Sequence, residues 1–392
     1  MAPAQFKVAT IGYGLSAKVF HIPFIQANDR LKLHAVVQRK PTTVSNAASD
    51  LPGINVYTSA DEVYADPAVD LVIICTPPWT HFELAKQAIC NGKHTVIEKP
   101  MTPTAREADE LVQLAARQGV ILTVYQSVWS LSFARDPDTD QFADRRWDTD
   151  VLTACQLIQD GHLGSVVEFE SHFDRFCPDI PQGSITECRP GTGIIYDLGV
   201  HLIDQAYVLF GRPERVTAFA DYLRDEQTQD TCTILLHYPK CLVTVKATTH
   251  SAERDQLRFW VRGNRGSFRK CHLDIQESQL ASGMQPTEDG FGVEPEERFG
   301  EPSPSAKVSL GALLIRTGVL TTPQGEVLVA AQYPNKVPEL YSAFYDQLVQ
   351  AMSSDCHGDH TPVKPQEARD VLQIVEAVLR SIESRTSVEL KS

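Results

Sequence analysis

Residues 6–12, FKVATIG, form an apolar, β-branched run that leads into Gly12-Tyr13-Gly14-Leu15-Ser16-Ala17. A G-x-G-x-x-A string at the end of a buried strand restricts the fold more than any other feature of the chain. Gly12 permits a tight turn, Gly14 lets backbone approach a pyrophosphate, and Ala17 lets a following helix pack closely on the strand. The start of that helix offers free amides and the positive end of its dipole to phosphates. Further apolar runs at 31–38, 69–77, 94–100 and 120–125 have no polar face, as in strands buried inside a parallel sheet. Between them, 81–93 and 104–119 have helical texture; Thr104 and Glu107 are spaced as a capping box, and Gly119 closes the second segment. This alternation predicts a doubly wound α/β sheet over residues 1–125.

The texture then changes. A helix is expected over 150–161, followed by alternating strand runs at 166–176, 215–223, 231–239, 242–250 and 256–263, and by a closing helix over 365–385. Residues 126–392 therefore read as a second, α+β domain with an open, mostly antiparallel sheet, one face of it wet. A length of 392 residues accommodates both. A net charge of −14 repels nucleic acid and anionic membranes. The longest apolar stretch is far too short to span a bilayer, and the N-terminus lacks the charged head and apolar core of a signal peptide. Nine scattered cysteines without a CxxC pair read as reduced thiols, so a cytoplasmic location is expected. Cys356 and His360 are too few ligands for a metal site, and no metal is expected.

The end of the second strand bears on which dinucleotide fits. An NAD site usually places an acid there for the ribose 2′-hydroxyl. Here the residues are Val37-Gln38-Arg39-Lys40, and two cations suit a 2′-phosphate, so NADP is expected rather than NAD. Glu98-Lys99-Pro100 ends another strand at the edge where such sheets bind ligands, and a lysine there can hold a substrate hydroxyl. In GIIYDLGVHLID, helical winding would bring Asp197, His201 and Asp204 onto one face. An aspartate that orients a histidine raises its basicity for proton transfer.

These motifs resemble the Gfo/Idh/MocA oxidoreductases, with GYGLSAKVFHIP, CTPPWTH, EKPMT, RRWDTD, HFDRF, GTGIIYDLGVHLIDQ and VRGNRGSF all in family order. Their look is nearest to the NADP-dependent scyllo-inositol dehydrogenases. The resemblance implies a Rossmann domain joined to an α+β domain with an open sheet, and hydride transfer at a polyol, inositol or sugar-like alcohol or ketone. Carried over by motif, Lys99, Asp197 and His201 become the catalytic trio. Gly12, Tyr13, Gly14, Leu15, Ser16, Arg39, Lys40, Thr76, Pro77, His81 and Glu98, with Lys99, become cofactor-side residues. Trp147, Asp148 and Arg175 fall on the substrate side. A homo-oligomer, dimer or tetramer, is implied as well. Two alternatives stay open: a carbonyl or dihydrodiol-type reductase of secondary metabolism, or a non-catalytic NADP-binding regulator.

Two interruptions depart from the family pattern. Residues 127–144 separate Tyr125-Gln126 from Arg145-Arg146-Trp147-Asp148, and 300–318 separate a glycine from the strand run VLTT. If Ser127 is encoded AGT and Asp144 GAC, excision from GT to AG restores an asparagine codon in frame. With GGTGAG at Gly300-Glu301 and ACAGG at Thr317-Gly318, a second excision restores a glycine. Both segments thus read as translated in-frame introns of a fungal-type gene, or else as inserted loops.

Overall fold

A computed structural model describes residues 5–126, 148–180, 188–224, 227–253, 255–293, 317–324, 327–334, 341–354 and 361–390. Trp147, Cys356, His360, the segment 127–144 and residues 300–316 lie outside them.

Six parallel strands form the first sheet: β1 (Phe6–Ile11), β2 (Leu31–Val37), β3 (Asn55–Tyr57), β4 (Leu71–Ile74), β5 (His94–Glu98) and β6 (Leu122–Tyr125). Their order is β3-β2-β1-β4-β5-β6. The order reverses between β1 and β4, and the carboxyl ends of those two strands open the crevice where such sheets bind ligands. Every residue of β4 is buried, which accounts for its unbroken apolar run. The helix Ala105–Gln118 starts at the expected box: Thr104 Oγ1 accepts from the Glu107 amide, and the Glu107 carboxylate accepts from the Thr104 amide. It stops at Gly119, whose φ of +64° suits glycine.

The second sheet has nine strands: β7 (Val166–Asp174), β8 (Arg215–Asp221), β9 (Thr231–His237), β10 (Leu242–Thr248), β11 (Leu257–Gly263), β12 (Ser267–Cys271), β13 (Thr317–Gln324), β14 (Val327–Pro334) and β15 (Val388–Glu389). They are ordered β14-β13-β12-β11-β7-β10-β9-β8-β15. β7 and β10 run parallel, and the other described pairings are antiparallel. In β10, Val243, Val245 and Ala247 are buried while the residues between them are not. The helices Val200–Phe210 and Pro365–Ser384 pack on this sheet and on each other. Its other face leaves Phe219 and Trp260 exposed.

Two details set the site. The helix that follows the glycine loop winds as a wide, π-type turn over Ala17–His21 before continuing as Ile22–Ala27, and a second such turn, Ile195–Gly199, precedes Val200–Phe210. A further helix, Ser342–Ser353, packs into the first unit: Phe344, Tyr345 and Leu348 share one buried cluster with Val8, Phe24 and Leu71. Among the described residues, no helix is long and apolar enough to cross a membrane.

Candidate active site

The glycine loop leans on the end of β4. Gly12 has φ +108°, and a Cβ placed on it would lie 2.4 Å from the Cys75 carbonyl oxygen. A Cβ on Gly14 would meet nothing within 4 Å, so the loop has open space beside it there. Leu15 stands exposed at the loop's tip, and the Ser16 hydroxyl donates to the Glu98 carboxylate. The Tyr13 hydroxyl donates to Asp50 Oδ2 at 3.1 Å, and the Lys18 ammonium lies 4.4 Å above the Tyr13 ring. At the end of β2 the Gln38 amide is used on backbone, donating to the Ser45 carbonyl and accepting from the Ala47 amide. Arg39 and Lys40, next along, are exposed. A tight turn at Gly12, open space at Gly14 and two exposed cations beyond β2 together fit a phosphorylated dinucleotide.

Lys99 follows directly on β5. Its Nζ donates to the Asp197 backbone carbonyl at 2.8 Å and to Asp197 Oδ1 at 2.7 Å, joining the two units across the crevice. The Lys99 charge holds the Asp197 carboxyl down at about 2. His201 is buried, and burial followed by the nearby Lys99 charge keeps its imidazole well below the ordinary histidine range, hence neutral. Its Nδ1 has no hydrogen-bond partner among the described residues, and the Phe173 ring meets it edge-on. The Asp197 carboxylate therefore serves Lys99 rather than orienting His201. The wide turn at Ile195–Gly199 bonds i to i+5, which moves these two residues out of the simple i, i+4 stack. Asp204 is fully buried.

Lys99, Asp197 and Arg175 line a cleft of about 500 Å³ together with Pro78, Gly193 and Gln229. Arg175, at the end of β7, also borders a second cleft of about 460 Å³ beside His272 and Asp274.

The other anticipated residues lie as follows. Thr76 sits beside Gly12, and Thr80 Oγ1 lies 2.7 Å from both Thr76 Oγ1 and the Pro77 carbonyl. His81 has no exposed surface; Nε2 lies 2.7 Å from the Thr76 carbonyl and Nδ1 2.9 Å from the Pro100 carbonyl, so it braces the two loops and faces neither cleft. Burial pushes its imidazole down. Asp148 is buried beneath Tyr341, whose hydroxyl donates to it at 2.8 Å, and burial keeps its carboxyl well above the usual range. It lines neither cleft.

Two residues escaped the sequence reading. Arg258 is wholly buried, donating from Nε to Asp150 Oδ2 at 3.0 Å and from Nη1 to Ser171 Oγ at 3.0 Å. His21 is wholly buried and lies 2.9 Å from the Glu98 carboxylate. The signal for His21 was its place four residues beyond Ala17, on the helix that opens the cofactor loop.

Comparison with known proteins agrees with this architecture. A family model described as an oxidoreductase family with NAD-binding Rossmann fold matches residues 6–126, and a GFO/IDH/MocA C-terminal domain model matches 151–269. An uncharacterised oxidoreductase of Schizosaccharomyces pombe is 37% identical, covering 98% of this chain and 99% of its own. The scyllo-inositol 2-dehydrogenase (NADP(+)) of Bacillus subtilis is 30% identical over 98% of this chain and 96% of its own. The solved structure of yvaA from Bacillus subtilis superposes with a TM-score of 0.84 at 30% identity, covering 99% of each chain.

Proposed function

Since this chain belongs to the Gfo/Idh/MocA family of NAD(P)-binding oxidoreductases, we propose that it is an NADP-dependent enzyme that interconverts a polyol, inositol or sugar-like alcohol and the corresponding ketone. The observation that carries this reading is the Lys99–Asp197 pair in the cleft beside a neutral His201. Bound NADP supplies two-electron hydride exchange with the carbinol carbon. The chain supplies the rest. Two of the Lys99 ammonium protons are taken by Asp197, and the third is left for a substrate oxygen. Asp197 stays ionised at any working pH and keeps the lysine aimed into the cleft. His201, uncharged, accepts the hydroxyl proton as the alcohol is oxidised and returns it on reduction. Positive charge from Lys99 and Arg175 favours the developing alkoxide. Backbone at Gly12 to Ser16 would hold the pyrophosphate, and Arg39 and Lys40 a 2′-phosphate.

The hydroxyl-rich substrate class and the NADP preference are supported by the activity for which the Bacillus subtilis relative is named and by the D-xylose 1-dehydrogenase (NADP(+)) of Haloferax volcanii, 26% identical over 56% of this chain. The test is NADPH oxidation against a panel of inososes and ketoses, with NADP⁺ reduction against the matching polyols. Turnover lost in Lys99→Ala is expected. Tight NADPH binding with no turnover on any substrate would overturn the enzyme reading in favour of a regulator.

A further inference from the structure

One carboxylate touches both halves of the cofactor-side machinery. Glu98 is largely buried, its side chain 12% exposed. Oε1 accepts from the Ser16 hydroxyl in the glycine loop and from His21 Nε2 at 2.9 Å; Oε2 accepts from the Lys99 backbone amide at 3.1 Å.

The protonation of His21 follows from its neighbours. The Tyr345 hydroxyl has one proton and donates it to the Phe20 carbonyl at 2.8 Å. Its oxygen, 2.8 Å from His21 Nδ1, can then only accept, so Nδ1 carries a proton. On the other side an ionised carboxylate can only accept, so Nε2 carries a proton too. His21 is therefore an imidazolium, buried against Glu98 and 4.4 Å from the Tyr125 ring. Burial opposes that charge, but Cys75 and the Glu98 carboxylate lift it to about 10. A buried ion pair adds little net stability, because desolvation cancels much of the attraction; its best-attested use is to specify one geometry.

We propose that Glu98 and His21 form a single positioning unit that sets the glycine loop and the backbone of Lys99 together, so that cofactor affinity and lysine placement rise or fall as one. The unit is locked by Tyr345 from the far end of the chain. The inference rests on the oxidoreductase reading given above.

The test compares Glu98→Gln, His21→Gln and the double variant by kcat, NADPH KM, NADPH dissociation constant and melting temperature. Each single variant is expected to lower kcat tenfold or more and to weaken NADPH binding several-fold. The double variant should be no worse than either single one, since the two residues act as a unit. Variants that melt earlier while kcat and NADPH affinity stay within twofold of wild type would overturn the proposal, as would losses that multiply in the double variant. Should these fail to fold, Tyr345→Phe removes only the hydroxyl and should lower kcat and NADPH affinity in the same direction. Nitrogen-15 histidine NMR gives an independent reading: two slowly exchanging ring N–H signals for His21 in the wild type, lost in Glu98→Gln. A single ring proton in the wild type would refute the unit. If the wild-type enzyme turns over no substrate, the oxidoreductase reading fails, while NADPH affinity and the ring signals still decide the coupling.

Discussion

Lys99 Nζ and Asp197 bond twice, through the backbone carbonyl and the carboxylate, and they come from different units, Lys99 from the end of β5 and Asp197 from the wide helical turn Ile195–Gly199. The ammonium is thereby held in the crevice by a residue that the first unit does not contain. Lys99→Ala is expected to lower kcat by about 10²–10⁴-fold, the range typical of a lost proton-handling group. NADPH affinity, measured by fluorescence titration, should change far less.

With His201 as the proposed proton acceptor, its neutral state is expected to set the acid side of the pH profile. An ordinary imidazole protonates near 6.5, whereas His201 titrates well below that value. Alcohol oxidation should hold level as pH falls through 6.5 and decline only beneath it. The unfolded chain binds a proton here before the folded one does, so His201 also makes stability fall as pH drops below 6.5. His21 works in the opposite sense. Its contribution is complete below 6.5 and is lost as pH rises toward about 10. Melting temperature against pH should show both arms, and His21→Gln should flatten the alkaline one.

Arg39 and Lys40 are exposed beyond β2 and free to meet a phosphate. Removing both side chains should raise the NADPH dissociation constant by roughly 10–100-fold, as expected for charge-assisted bonds of about 1.5–3 kcal/mol. NADH affinity should be unchanged. Equal losses for the two nucleotides in paired titrations would argue against a 2′-phosphate contact.

The two loop glycines should separate folding from binding. Gly12→Ala forces a Cβ against the Cys75 carbonyl at 2.4 Å in a left-handed conformation, and a loss of about 2 kcal/mol or more in denaturant unfolding is expected. Gly14→Ala meets nothing in the protein and should leave stability within about 0.5 kcal/mol, while NADPH binding weakens because the methyl fills space beside the loop.

Mature transcript is expected to lack the codons for 127–144 and for the interruption within 300–318. Long reads that retain both segments would show them to be coding.

Five of the six strands of the first sheet were legible because burial leaves apolar runs, unbroken in β4, whereas β3 (Asn55–Tyr57) is three residues long, not fully buried, and gave no such run. Its longest helix was legible because Thr104, Glu107 and Gly119 mark both ends. The Lys99, Asp197 and His201 neighbourhood was legible as motifs, but not the choice of Asp197 for Lys99. That choice depends on a wide helical turn, which hydrophobic period does not encode. Arg258 was hidden for a similar reason: β11 is irregular between Leu257 and Phe259, and the strict alternation that would place an arginine outside fails there. The His21–Glu98 contact spans 77 positions of chain, and no local pattern announces it.

Helix Ser342–Ser353 completes the core of the unit that begins at β1. On a ribosome the chain emerges from its N-terminus, so β1 to β6 are assembled long before Phe344, Tyr345 and Leu348 are made. Until then the surface around Val8, Phe24 and Leu71 lacks its cover, and His21 has no hydroxyl to hold. The first unit to be synthesised is thus among the last to be finished, and a fragment ending at residue 126 would leave that apolar surface bare.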